Sequence, residues 1–157
     1  LQDLLALARR RPRLRLNLDM KEVTCIAEMA RQVKRAGMAS RVVLTGLSGD
    51  DLRAARERGG GLPYLYNHAA NLRERFTPRG AAALAGRIRE SGARGLNTHF
   101  FFATRTVARA MRDAGLELSV WTVDRERTMR RVLRLGADNI TTNRVDALLD
   151  LLGRGRR

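Results

Sequence analysis

The chain has 157 residues, enough for one domain, or part of one, with a core of its own. A hydrophobic fraction of 44% suits a globular protein and not a disordered one, and no apolar run approaches membrane-spanning length. The net charge of +15 is carried almost wholly by arginine, spread between apolar helix positions with few aromatics interleaved, which argues for solvated faces weakly attracted to anionic membrane surfaces and against a specific nucleic-acid interface.

Leu1, Leu4, Leu5 and Ala8 open the chain with the i, i+3, i+4, i+7 spacing of one helical stripe. A first strand is predicted over residues 14–21. Val23, Ile26, Ala27 and Ala30 predict the next helix. Cys25, the only cysteine, sits on the apolar face of that helix and reads as a buried, inert thiol; no internal disulfide is available. Further strands are predicted at 41–45, 62–66, 94–97, 117–123 and 139–142, and a short helix at 50–58. The remaining helical stripes are Ala81/Leu84/Ala85/Ile88, Val107/Ala110/Met111/Ala114, Met129/Val132/Leu133/Gly136 and Val145/Leu148/Leu149/Leu152. Many of these segments run into a glycine (Gly37, Gly59, Gly92, Gly115, Gly136), which tolerates the left-handed backbone that stops a helix. The interval between Tyr66 and Arg94 predicts a longer surface loop before its helix. Residues 1–153 read as one partial barrel, and 154–157 as a frayed basic tail.

Strands alternating with helices through short loops mean βα units and a parallel sheet. Alternation alone fits both an open sheet and a barrel, and the first strand favours the barrel. Leu14, Leu16, Leu18 and Met20 form one face, and Arg15, Asn17, Asp19 and Lys21 the other. In an open doubly wound sheet both faces meet helices and the strands read almost wholly apolar. A polar second face ending in an acid and a base fits a barrel lumen, and barrel active sites lie at the C-terminal strand ends, where Asp19 and Lys21 stand.

Two segments carry a family resemblance. Ser119-Val120-Trp121-Thr122-Val123-Asp124 is followed by a helix and then Gly136-Ala137-Asp138-Asn139-Ile140-Thr141-Thr142-Asn143; Leu16-Asn17-Leu18-Asp19-Met20-Lys21 forms the first strand. Together they resemble the later part of a glycerophosphodiester phosphodiesterase barrel. The resemblance implies an α/β, TIM-type (β/α) barrel with about six of its eight βα units present. It implies a metal-dependent phosphoric diester hydrolase of lipid metabolism, releasing an alcohol and glycerol 3-phosphate. Asp19 would be a ligand of a divalent metal, Mg²⁺ or Ca²⁺, with Asp in place of the family's Glu. Lys21 would contact the phosphate, and Trp121, which alternates with Ser119 and Val123, would line the glycerol pocket or pack in the barrel core. Asn143-Arg144-Val145-Asp146 resembles the family's closing turn, with Val145 where proline is usual.

The family's His-Arg-Gly, His-Asp and Glu-x-Asp motifs are absent from this sequence. His68 and His99 follow predicted strands, yet each reads as a surface or locally satisfied side chain, not as a substitute acid or base. The isolated chain is therefore expected to be inactive, cytoplasmic, a fragment of something longer, and prone to self-association through open sheet edges. The alternative is a noncatalytic barrel-derived binding protein with a vestigial pocket. No phosphate-binding glycine loop, nucleophile elbow or zinc spacing is present.

Overall fold

Parallel strands and intervening helices recur through residues 1–153, the residues that the computed structural model describes. They divide into two compact units: Leu1–Asn67 with Ser91–Arg94, and His68–Glu90 with Gly95 onward. The predicted tail at 154–157 lies outside the described residues.

The first unit runs α1 (Gln2–Arg9), β1 (Leu16–Asp19), α2 (Ile26–Arg35), β2 (Val42–Leu47), α3 (Asp51–Arg58) and β3 (Tyr64–Asn67). β1 pairs parallel with β2, from Leu16↔Val42 to Asp19↔Thr45, and β2 pairs parallel with β3 through Leu44↔Tyr64 and Leu47↔Tyr66, with a register shift between. Ile26, Met29, Ala30 and Val33 on α2 are buried, as are Val42, Leu44 and Leu47 on β2 and Leu52 and Ala55 on α3. Arg41 closes the end of α1: its Nη1 donates to the carbonyls of Ala8 and Arg11, both at 3.0 Å. The guanidinium is a second donor to carbonyls that already accept the Arg11 and Leu14 N–H groups, and it ties the end of α1 to the start of β2.

The second unit runs α4 (Leu72–Phe76), α5 (Pro78–Ser91), β4 (Gly95–His99), α6 (Arg105–Asp113), β5 (Glu117–Trp121), α7 (Glu126–Leu135), β6 (Asn139–Ile140) and α8 (Val145–Leu151). β4 pairs parallel with β5 along its whole length, Gly95↔Glu117 to His99↔Trp121, and β5 pairs parallel with β6. Ala81, Leu84, Ala85 and Ile88 all fall in the core, as their spacing predicts. Pro78 opens α5, a position where its missing N–H costs nothing. Gly136 ends α7 at φ 79°, in the left-handed conformation expected of a helix-stopping glycine.

Several local expectations are corrected. β1 is four residues long: a turn, Leu14 N–H to the Arg11 carbonyl at 2.9 Å, occupies its predicted start, and Met20 and Lys21 fall beyond its end. Cys25 is exposed: the chain enters α2 through a 3₁₀ turn, Val23–Cys25, whose tighter winding shifts the phase of the stripe. Leu1 and Leu4 are exposed while Leu5 and Ala8 are buried, so the stripe of α1 is narrower than its spacing suggests. The interval after β3 is not all loop, since α4 forms within it. The strand predicted at 117–123 stops at Trp121, and α8 buries none of its residues.

Candidate functional site

In the first unit the C-terminal strand ends gather a polar set. Asp19, the last residue of β1, forms an ion pair with Lys21 at 2.5 Å, and both side chains remain well exposed. Two residues earlier on the same face, the Asn17 Oδ1 accepts from the Thr45 hydroxyl at 2.6 Å. Gly46 lets β2 pass close to this end: a Cβ there would lie 2.4 Å from the Met20 carbonyl and 2.5 Å from Asp19 Oδ1, at φ +81°. Its N–H donates to Asn67 Oδ1 at 3.3 Å. A cleft of about 310 Å³ lies alongside, lined by Met20, Lys21, Glu22, Gly46 and Leu47 among others. Asp19, the last residue of β1, and Lys21, two residues past the strand, are thus joined by their ion pair at a strand end held by tight backbone contact.

In the second unit the corresponding ends carry His99 and Trp121, which are register partners. Their rings meet edge-on with centroids 5.4 Å apart, and the Trp121 indole is exposed, not packed in a core. Ser119 and Trp121 alternate within β5, Ser119 buried and Trp121 exposed at its end, while Val123 is buried beyond the strand. His99 Nδ1 accepts from the Phe101 N–H at 3.3 Å, which places the proton of a neutral ring on Nε2. The next loop is anchored by Asp124: Oδ1 accepts from the Thr142 hydroxyl at 3.1 Å and the Asn143 N–H at 2.8 Å, and Oδ2 from Asn143 Nδ2 at 3.0 Å. The Asn143 side chain above all, then its N–H, holds the Asp124 carboxyl below the usual range.

His68 is satisfied locally, as expected, but by a residue that sequence reading missed. Its Nε2 lies 2.9 Å from Oε2 of Glu74, a side chain almost completely buried. The same oxygen accepts from the Asn71 N–H at 2.8 Å, and Oε1 pairs with Arg87. Burial pushes the Glu74 carboxyl up, but His68, the Asn71 N–H and Arg87 together outweigh it and leave the pKa below its usual value. The spacing Asn71-x-x-Glu74 is a capping box and signals a helix start; it does not signal that the acid is buried. The run Phe100-Phe101-Phe102 was overlooked as well, although such a run is conspicuous in a chain that is 4% aromatic.

Among the described residues no three His, Cys, Asp or Glu side chains gather to hold a metal ion. Asp19 supplies one carboxylate, already paired with an ammonium. The residues present do not by themselves fit a divalent cation, which takes several oxygen donors. No helix among them is long and apolar enough to cross a membrane.

The model of the glycerophosphoryl diester phosphodiesterase family matches residues 14–147. Among curated proteins none matches the chain. A glycerophosphoryl diester phosphodiesterase structure from Silicibacter pomeroyi is similar over 100% of this chain and 58% of its own, at 24% identity and a TM-score of 0.73. A glycerophosphodiester phosphodiesterase from Galdieria sulphuraria is similar over 97% of this chain and 63% of its own, at 18% identity and a TM-score of 0.80. A phosphodiesterase of Oleispira antarctica, in complex with the product sn-glycerol-3-phosphate, is similar over 88% of this chain and 55% of its own, at 15% identity and a TM-score of 0.67. The chain thus spans less than two thirds of each of these structures. The alternation of six parallel strands with helices is that of a TIM-type (β/α) barrel, of which the chain carries about six of eight units.

Proposed function

The chain belongs to the glycerophosphoryl diester phosphodiesterase family, and we propose that it supplies the substrate-recognising strand ends of a glycerophosphodiester hydrolase. The observation that carries this reading is the Asp19–Lys21 pair, an ammonium kept exposed yet tethered at 2.5 Å at the end of a barrel strand. In this reading Lys21 contacts the phosphate and offsets charge on its oxygens, with Asp19 fixing the direction of the ammonium. Trp121 offers an exposed indole at a strand end, a surface suited to the carbon skeleton of glycerol. The Oleispira antarctica neighbour, which holds sn-glycerol-3-phosphate, supports a ligand of this class.

A divalent metal belongs to the family reading, with Asp19 as its one ligand from this chain; since the described residues do not complete a set, no step is derived through it. The 157-residue polypeptide by itself is expected to bind and not to turn over, because the family's paired-histidine motifs are absent from it. Metal-dependent hydrolysis of glycerophosphocholine by this polypeptide would refute that point. Calorimetric titration with sn-glycerol 3-phosphate tests the recognition. Lys21→Ala should weaken it by about tenfold, the worth of one charge-assisted contact. Equal affinity of wild type and Lys21→Ala would sink the assignment.

A further inference from the structure

All four phenylalanines and the single tryptophan of this chain belong to the second unit, and most form one connected cluster around Arg75. The Arg75 guanidinium lies over three rings, 5.0 Å from the Phe76 centroid, 4.4 Å from Phe101 and 5.5 Å from Phe102. Its Nη2 donates to the Phe101 carbonyl at 3.3 Å, and its Nε is buried without a hydrogen-bond partner. The cluster continues from Phe102 through His99, 6.2 Å away, to Trp121. Leu72, one helical turn before Phe76, shares its face of α4.

These side chains project into solvent. Leu72 is 71% exposed, Phe76 62%, Phe101 59% and Trp121 37%. Single exposed apolar residues need no explanation, but large rings clustered on adjoining loops do. The charge of the neighbouring sequence is almost all of one sign, with Arg109 paired to Asp113 at 3.5 Å. Residues 71–80 and 100–110 contain Arg73, Arg75, Arg79, Arg105 and Arg109, with Glu74 as their only acid. Glu74 is buried and committed to His68 and Arg87, so it offsets little of this charge at the surface.

We propose that Leu72, Phe76 and Phe101, gathered about Arg75 and flanked in sequence by the other arginines, form a docking surface for an anionic lipid bilayer. Protruding aromatic and aliphatic side chains enter the boundary between headgroups and acyl chains, while flanking guanidiniums meet anionic headgroups. Charge complementarity selects this occupant over a second copy of the chain. A twofold contact through the patch would bring its arginines against their own equivalents. The reading is independent of Lys21 and of turnover.

Vesicle co-sedimentation tests it, with phosphatidylcholine alone and with equimolar phosphatidylcholine and phosphatidylglycerol. The full chain should bind the mixed vesicles and bind the neutral ones far less. The emission of Trp121, the sole tryptophan, should shift to the blue on binding. The Phe76→Ser/Phe101→Ser pair should reduce partitioning at least ~10-fold, since both rings lose their apolar burial in the bilayer boundary. Its thermal transition should remain cooperative and fall by only a few degrees at most, because both rings are exposed and lose only their contacts with Arg75. Arg73→Gln/Arg79→Gln should also weaken binding and flatten its salt dependence. Partitioning unaffected by the phenylalanine pair would overturn the proposal in favour of diffuse arginine attraction. So would absence of vesicle binding, or self-association that the same pair abolishes.

Discussion

Asp124 and Asn143 grip each other at two points: the Asn143 N–H reaches one carboxylate oxygen at 2.8 Å and its side-chain amide reaches the other at 3.0 Å. This joins the loop after β5 to the turn after β6, across a helix and a strand of intervening chain. It gives a physical reason for Trp-Thr-Val-Asp and Thr-Thr-Asn to occur together. The acid is the acceptor that fixes the turn, and the turn supplies the donors that keep the acid ionised.

Asp124→Asn should therefore loosen both loops at neutral pH. The substituted amide would set one of its own donors against a donor of Asn143. Because the folded pKa of Asp124 is depressed, its contribution is present above the ordinary carboxylate range and is lost as pH falls through the lower folded value. The melting-temperature gap between wild type and variant should thus be visible at pH 7 and should close on acidification below about pH 3.9, the usual Asp value. A gap that does not narrow would place the effect elsewhere.

Glu74 should be the costliest acid to remove. Glu74→Ala would remove the buried acceptor shared by His68, the Asn71 N–H and Arg87. Urea denaturation should show a loss of about 2–4 kcal/mol, moderated by the partial exposure of Arg87. The depressed carboxyl contributes above the usual glutamate range and loses its effect as pH falls through its folded value, so the variant and wild type should converge in acid.

All six strands lie at their predicted places, and the stripe Ala81/Leu84/Ala85/Ile88 is wholly buried, because period and glycine stops are local properties of the chain. Asp19 was legible for the same reason, as the polar residue at the end of β1, whereas Lys21 lies two residues past the strand and meets Asp19 through their ion pair. What escaped depends on neighbours distant in sequence. The interval after Tyr66 reads as a surface loop, yet within it Glu74 is buried against His68 and Arg87. Trp121 alternates correctly within β5, but the strand ends beneath it, and where a strand ends is set by its pairing with β4 and β6. Cys25 was misplaced by one 3₁₀ turn, which periodicity at 3.6 residues does not detect.

Cys25 should accordingly react in the folded protein. Its Sγ donates to the Glu22 carbonyl at 3.1 Å, a contact that leaves the sulfur at the surface. A colorimetric disulfide reagent should label one thiol per chain without denaturant, at a rate that urea changes little. Labelling that appears only on unfolding would restore the buried thiol.

Gly46 controls the end of β1 that carries Asp19. A methyl group there meets the Met20 carbonyl, which is backbone and cannot swing aside, and the Asp19 carboxylate, which can. The positive φ of 81° adds strain for any L side chain. Gly46→Ala should therefore cost about 2–4 kcal/mol in urea denaturation, combining a left-handed backbone with local overpacking. It should also weaken glycerol 3-phosphate binding, because relief of the clash turns Asp19 away and frees Lys21. Asp19→Ala separates the two effects: it removes the tether without touching the backbone. It should lower affinity in the same direction while leaving the urea midpoint near that of wild type. If Gly46→Ala destabilises but binds the ligand as wild type does, the close approach of β2 serves the fold alone and does not position Lys21.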